Sequence, residues 1–313
     1  MALHLHRAED TGALAAGLGA LLAEPLADPF ASELVLVSAR GMERWLSQQL
    51  SHVLGYGWTT VSKSGMPATD GVCAGIEFRS PTSLLADITG ISGDNPWDPD
   101  AMVWPLLEVL DQLGGTGAGR SWAGALATHL GYTELGSPEE TELRRGRRYA
   151  VARRLAGLFD AYAKARPVML ADWLDGRCTD GTGDQLDEDL CWQPPLWRAV
   201  AERIESDPPP VRQTKTIARL LDSPSDLPPR LSLFGHTRLS AADIELLGAL
   251  SSHHDLHLWL PHPSDPLWRA LSELHGQVTR SADPSRQQVG HPLLQTLGRD
   301  LRELQRGLPA AQT

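Results

Sequence analysis

The chain has 313 residues and a formal charge of −11 at neutral pH. Its hydrophobic fraction of 42% and charged fraction of 21% are those of an ordinary folded protein, not a disordered one. The acidic balance excludes a strongly basic DNA-coating protein but not a local basic channel, because an electrostatic footprint depends on distribution rather than sum.

The length suits two average domains, or one domain with a large insertion. No run of about 18 apolar residues is present to form a membrane-spanning helix. Met1-Ala2-Leu3-His4-Leu5-His6-Arg7 shows no secretory signal. Cys73, Cys178 and Cys191 are too few and too scattered for a disulfide framework, so a reducing cytoplasm is expected. Of 28 basic residues only Lys63, Lys164 and Lys215 are lysine, which leaves 25 arginines. The bias reads first as genomic base composition, although the arginine fork also suits phosphate and base edges.

The first block reads as strand then helix. Leu3 and Leu5 alternate with His4 and His6, Glu9-Asp10-Thr11 offers a cap, and Leu14, Leu18, Leu21 and Leu22 follow at helical spacing. The plan repeats: Leu34-Val35-Leu36-Val37 is a continuous apolar run, as in a strand buried on both faces of a parallel sheet. Met42, Trp45, Leu46, Leu50, Val53 and Leu54 then share one helical face. Two such units in succession predict a parallel α/β sheet. Residues 55–75 are rich in Gly, Ser, Thr and Pro and read as a mobile surface loop. Another helix is expected from Pro81.

Residues 98–224 read as a mainly helical subdomain inserted into an α/β domain formed by 1–97 and 225–313. Ser137-Pro138-Glu139-Glu140 is a helix start in which serine caps, proline takes the first position and Glu140 closes a capping box. Leu155, Leu158, Phe159 and Tyr162 form the apolar stripe that follows. The sheet resumes with a strand over Arg230–Gly235, a helix capped by Ser240, and a strand with Leu256, Leu258 and Leu260 alternating with His257 and Trp259. Leu293, Leu294, Leu297, Leu301 and Leu304 predict one final amphipathic helix.

Several segments could carry chemistry. Gly114–Ser121 fits a phosphate loop except that Arg120 replaces lysine; because the preceding run is helical, it reads as a glycine-rich turn. His253, His254, Asp255, His257 and His262 cluster near one strand without recognised metal-ligand spacing, and read as a solvated strand end. Asp180–Asp189 lacks the glycine and glutamate of a calcium loop and reads as solvated. Arg144, Arg145, Arg147, Arg148, Arg153, Arg154, Lys164 and Arg166 form a basic run that is either a solvated face or a phosphate-tracking surface. Arg40 and Arg44 sit where a buried strand opens into a helix, the end of an α/β sheet at which ligands bind.

Five blocks in order resemble one family. They are Leu34–Leu46, Leu158–Tyr162 with Arg166-Pro167, Trp192–Trp197, Leu233–Leu239, and Gly290–Leu294 with Gly298-Arg299-Asp300. Together they are similar to the N-terminal part of the exodeoxyribonuclease V gamma subunit (RecC) family, over essentially the whole chain. The resemblance implies a P-loop helicase-like fold that has lost its ATPase.

Two junctions agree with that loss. His6–Thr11 has no glycine cradle or lysine, and Phe234-Gly235-His236 has no acid for magnesium. The resemblance further implies a non-catalytic subunit that scaffolds RecB-like and RecD-like motors, splits duplex ends and scans single-stranded DNA for a Chi-like signal. No cofactor is then expected in this chain, ATP and Mg2+ being used by the partners, within a bacterial cytoplasmic complex that associates with the nucleoid when acting.

By similarity the DNA-binding positions are Ser38, Arg40, Arg44, Ser80, Leu158, Asp160, Arg166 and Arg212, with Ala86, Gly157 and Ala161 beside them. Better-known relatives carry amide and hydroxyl side chains at the Ser38, Arg40 and Arg44 positions, tryptophan at Ala86 and an acid at Gly157; Leu158, Asp160 and Arg166 agree. The departures bear on which DNA sequence is read. Family chains continue well beyond this length, which implies a fragment. The alternatives are a nucleotide- or metal-dependent hydrolase and a protein-interaction scaffold without DNA contact.

Overall fold

In the computed structural model, five strands pair entirely in parallel, in the order β1-β5-β4-β2-β3. The structure describes residues 2–28, 30–54, 72–91, 93–113, 122–132, 137–276, 278 and 283–308. The chain begins β1 (Leu3–Ala8), α1 (Thr11–Leu22), β2 (Glu33–Val37), α2 (Arg40–Ser51), β3 (Ile76–Arg79) and α3 (Pro81–Thr89). A helical stretch follows: α4 (Pro99–Gln112), α5 (Gly124–His129), α6 (Pro138–Arg145), α7 (Arg148–Ala165), α8 (Pro167–Leu174), α9 (Gln193–Ala201) and α10 (Pro209–Asp222). It ends with β4 (Arg230–Phe234), α11 (Ala241–Leu250), β5 (Asp255–Pro261), α12 (Asp265–Ala270), α13 (Pro292–Leu297) and α14 (Arg299–Gly307).

Two compact units result, one formed by Met1–Gly90 and Thr216–Thr313, the other by Ile91–Lys215. In the first, the alternation of each strand divides the core between the two sheet faces. Val35, Val37, Phe234 and Trp259 pack with Leu14 and Leu18 of α1 and Leu46 and Leu50 of α2. Leu34, Leu36, Leu231, Leu233, Leu256 and Leu258 pack on the opposite face with α3, α11 and Leu304 of α14. The buried apolar runs predicted as sheet strands are therefore covered on both sides.

Among its described residues the second unit is helical apart from one isolated bridge between Thr179 and Gln185, with a core around Phe159, Trp173, Trp197 and Leu106. Ser137 and Glu140 close the expected capping box on α6, and Ser240 and Asp243 close another on α11. Among the described residues no helix is long and apolar enough to cross a membrane.

Four expectations change. β3 adds a strand that the sequence reading lacks. β5 is buried along both faces because it lies inside the sheet, between β1 and β4. His253 precedes that strand, while His254, His257 and His262 are buried immediately before, within and immediately after it, so the solvated strand end is corrected to three separately buried histidines. The single C-terminal helix is two, α13 and α14, broken at Gly298, where a side chain would meet the Leu294 carbonyl at 2.6 Å. Residues 55–71 of the expected loop, and the Gly114–Ser121 segment, lie outside the described residues.

Candidate nucleic-acid interface

All five strands point the same way, so their carboxyl ends share one edge of the sheet. β2 and β3 are hydrogen-bonded neighbours, with Leu36 opposite Arg79. Ser38 and Ser80, the residues that leave these strands, therefore stand on adjacent strand ends. Ser80 is the N-cap of α3; its hydroxyl accepts the Ser83 N–H at 3.1 Å.

The start of α2 differs. Ala39 is its extended N-cap and offers no side-chain acceptor. The first-turn N–H groups thus lack a side-chain cap, a situation that favours an anion. Arg40 opens that helix and Arg44 follows one turn later. Both are exposed, and neither guanidinium has a hydrogen bond or ion pair among the described residues. Glu43, in the same first turn, is the local counterweight.

The β1 end of this edge is closed. Asp10 caps α1 by accepting the Ala13 N–H at 3.0 Å. Arg7 pairs with Asp265 at 2.6 Å and lies 4.9 Å over the Trp268 ring. A cavity of about 200 Å³ remains, lined by Arg7, Ala8, Glu9, His262 and Asp265. Beyond β4, Gly235 turns at a φ of +75° and the buried His236 sets Nε2 3.3 Å from the Leu36 carbonyl. Burial pulls the His236 pKa down, against that carbonyl and Asp243. No carboxylate follows β4 directly. Among the described residues no group of three or more His, Cys, Asp or Glu side chains is placed to hold a metal.

The helical unit carries the other positions. Val151, Arg154, Leu155, Leu158 and Ala161 recur every three or four residues along one stripe of α7. With Leu126, His129, Gly157 and Trp192 they line an open cavity of about 590 Å³. Leu158 and its neighbours therefore come together. Asp160 points along another side of the helix, paired with Lys164 at 2.7 Å. Arg166 joins α7 to α8 and its Nη1 donates to the Asp180 carbonyl at 2.9 Å. Burial pushes the Asp180 carboxyl up, but the Thr182 amide and hydroxyl, the Asp184 backbone and Arg166 together hold it below the usual range. Arg212 is half-buried, with Nη1 3.3 Å from Asn95 Oδ1, and burial lowers its pKa.

Of the sequence-derived positions, then, Ser38, Arg40, Arg44 and Ser80 meet at the sheet edge and Leu158 lines the cavity. Asp160, Arg166 and Arg212 are occupied by internal contacts. The sequence reading holds Arg154 only as a member of the basic run and does not select His129 or Trp192 as site residues. Arg154 is recoverable from its three- and four-residue spacing to Val151 and Leu158 on α7, whereas His129 and Trp192 come from other segments.

A model of the RecC N-terminal domain family matches residues 3–313. RecBCD enzyme subunit RecC of Mycobacterium tuberculosis (strain H37Rv) is 60% identical over 315 residues, covering 100% of this chain and 27% of that protein. The same subunit of Mycolicibacterium smegmatis is 58% identical, covering 100% of this chain and 26% of its own length. That of Escherichia coli K12 is 26% identical over 263 residues, 80% of this chain and 20% of the relative. The chain thus spans about a quarter of the length of these curated relatives. With the family match running through both units, the chain belongs to the RecC N-terminal domain family.

Proposed function

We propose that the chain is a non-catalytic DNA-binding and scaffolding part of a RecBCD-type helicase–nuclease, acting in double-strand-break repair by homologous recombination. Its partners are RecB-like and RecD-like subunits, together with duplex ends and the single strands drawn from them, which it scans for a Chi-like signal.

The observation that carries the DNA reading is the start of α2. Two exposed arginines without partners among the described residues stand at a helix N-terminus that lacks a side-chain cap, on the ligand-binding edge of a parallel sheet. Arginine at such a place neutralises phosphate or reads guanine. The Leu158 cavity suits an unstacked base, with apolar walls, an indole at Trp192 and a guanidinium at Arg154.

A P-loop helicase-like ancestry is supported by the strand order. β1 and β4 flank β5, so the junction that would hold a phosphate loop and the one that would hold magnesium open on the same edge. Neither carries the residues for the task. Asp10 and Glu9 stand in one place, and Gly235-His236 in the other.

The test is fluorescence anisotropy of a labelled single-stranded oligonucleotide titrated with the chain. Arg40→Ala and Arg44→Ala should each weaken binding severalfold with no change in thermal midpoint. Wild-type affinity in both variants would overturn the assignment of this edge.

A further inference from the structure

The helices α4 and α7 pack against each other, and where they meet two aromatic side chains are left in solvent. Trp104 on α4 is 63% exposed and Tyr149 on α7 is 52% exposed. Their ring centroids are 6.4 Å apart, tilted by 55°. An indole and a phenol held in contact without burying either forgo most of the stabilisation that aromatic burial supplies.

The charges around the pair are unbalanced toward the positive. Arg153 stands one helical turn beyond Tyr149 on the same side of α7, and Arg145 and Arg147 immediately precede that helix. All three are exposed, and none has an ion pair among the described residues. Two of the nearby acids are paired, Asp111 with Arg148 at 2.6 Å and Glu108 with Arg203 at 4.0 Å, whereas Asp100, one turn before Trp104, is exposed with no ion pair among the described residues, so three unpaired guanidiniums face one unpaired carboxylate. Tyr149 and Arg153 also face away from the Val151–Leu158–Ala161 stripe that lines the cavity, so this is a second surface of the same helix.

We propose that Trp104 and Tyr149, with Arg153 beside them, form a stacking platform for single-stranded nucleic acid. Every base has a π-face, so the rings accept any sequence, while the guanidiniums neutralise the passing phosphates. The platform rests on the reading that this chain binds DNA, but uses none of the residues assigned to it above.

The experiment compares the 313-residue chain with Trp104→Ala, Tyr149→Ala, Trp104→Phe and Arg40→Ala. Each is titrated into labelled oligothymidylate and into an abasic strand of the same length. On oligothymidylate, Trp104→Ala and Tyr149→Ala should each lose about tenfold in affinity, the scale of one lost base stack. Trp104→Phe should keep most of it, and these three variants should bind the abasic strand as wild type does, whereas Arg40→Ala should weaken binding to both strands.

Unchanged oligothymidylate affinity in both alanine variants, while Arg40→Ala still weakens it, would overturn the platform alone and leave the pair to a protein contact. Equal losses on both strands would also overturn it, since stacking requires a base. No binding of either strand by the wild-type chain would overturn the DNA reading itself, and the platform with it.

Discussion

His6 Nε2 and His257 Nδ1 lie 3.0 Å apart across the β1–β5 pair, so one ring must donate and the other accept. The contact is the middle of a stack. His4 lies on His257 with centroids 4.5 Å apart, His6 lies on Trp259 at 3.8 Å, and the indole N–H of Trp259 donates to Ser232 Oγ at 3.3 Å. Protonating both His6 and His257 would remove the acceptor and place two cations side by side.

Burial, reinforced by the neighbouring histidines, lowers the pKa of His6 and brings that of His257 down from 6.5 to about 4. Between those two values the unfolded chain binds protons that the folded chain refuses. Stability is therefore full above about 6.5, falls as the pH drops toward 4, and then stops falling on this account. The shift at His257 corresponds to on the order of 3 kcal/mol. Urea midpoints measured across that range should decline in the wild type and decline less in His257→Phe. Parallel curves would contradict the assignment.

Gly17 of α1 lies against the same indole. A Cβ there would stand 2.8 Å from Trp259 Cζ3, and that ring is held between His6 and Ser232. Gly17→Ala should therefore destabilise by about 1–3 kcal/mol, despite the better helix propensity of alanine. Gly248→Ala on α11, with nothing within 4 Å, should stabilise by up to about 1 kcal/mol. Opposite signs in chemical unfolding are the check.

Arg230 and Glu33 tie the start of β4 to the start of β2. Nε donates to Oε2 at 3.1 Å, Nη2 to Oε1 and to the Glu24 carbonyl, and both side chains are 12% exposed. Arg230→Ala strands a largely buried carboxylate and should cost about 3–5 kcal/mol. Combining Arg230→Met with Glu33→Leu should cost far less. Equal losses in the single and the double variant would show that the pair matters only for its packing.

The chain should turn over no ATP. Asp10 occupies the α1 N-terminus where a phosphate would sit, and no acid follows β4. Steady turnover in the purified chain that disappears with Arg120→Ala would revive the degenerate phosphate loop.

What the sequence disclosed follows physical range. The runs at Leu34–Val37 and Leu231–Phe234 are so apolar that only burial on both faces fits them, and the serine-led helix starts are local signals. β3 escaped because four residues, Ile76–Arg79, are too few to show a period. The alternation of His257 and Trp259 reads as half-solvated unless the partner strands on both sides are known, so their burial is not legible in the sequence. Gly298 was outvoted by leucine spacing that continues through it.

At the candidate site, the position of Arg40 and Arg44 needed only the strand-to-helix boundary. The Lys164 partner of Asp160 is visible at helical spacing, but the Asp180 partner of Arg166 is 14 residues away, beyond α8. Trp192 reaches the α7 cavity from another segment altogether.

If arginine–phosphate contacts hold DNA on this chain, binding must release counterions and weaken as salt rises. The most direct test is the affinity for a single-stranded oligonucleotide measured against salt concentration. The expected curve is a straight log–log decline of about 0.7 per phosphate neutralised, shallower in the Arg40→Ala/Arg44→Ala double variant. A flat response, or one unchanged by removing both arginines, would contradict those contacts.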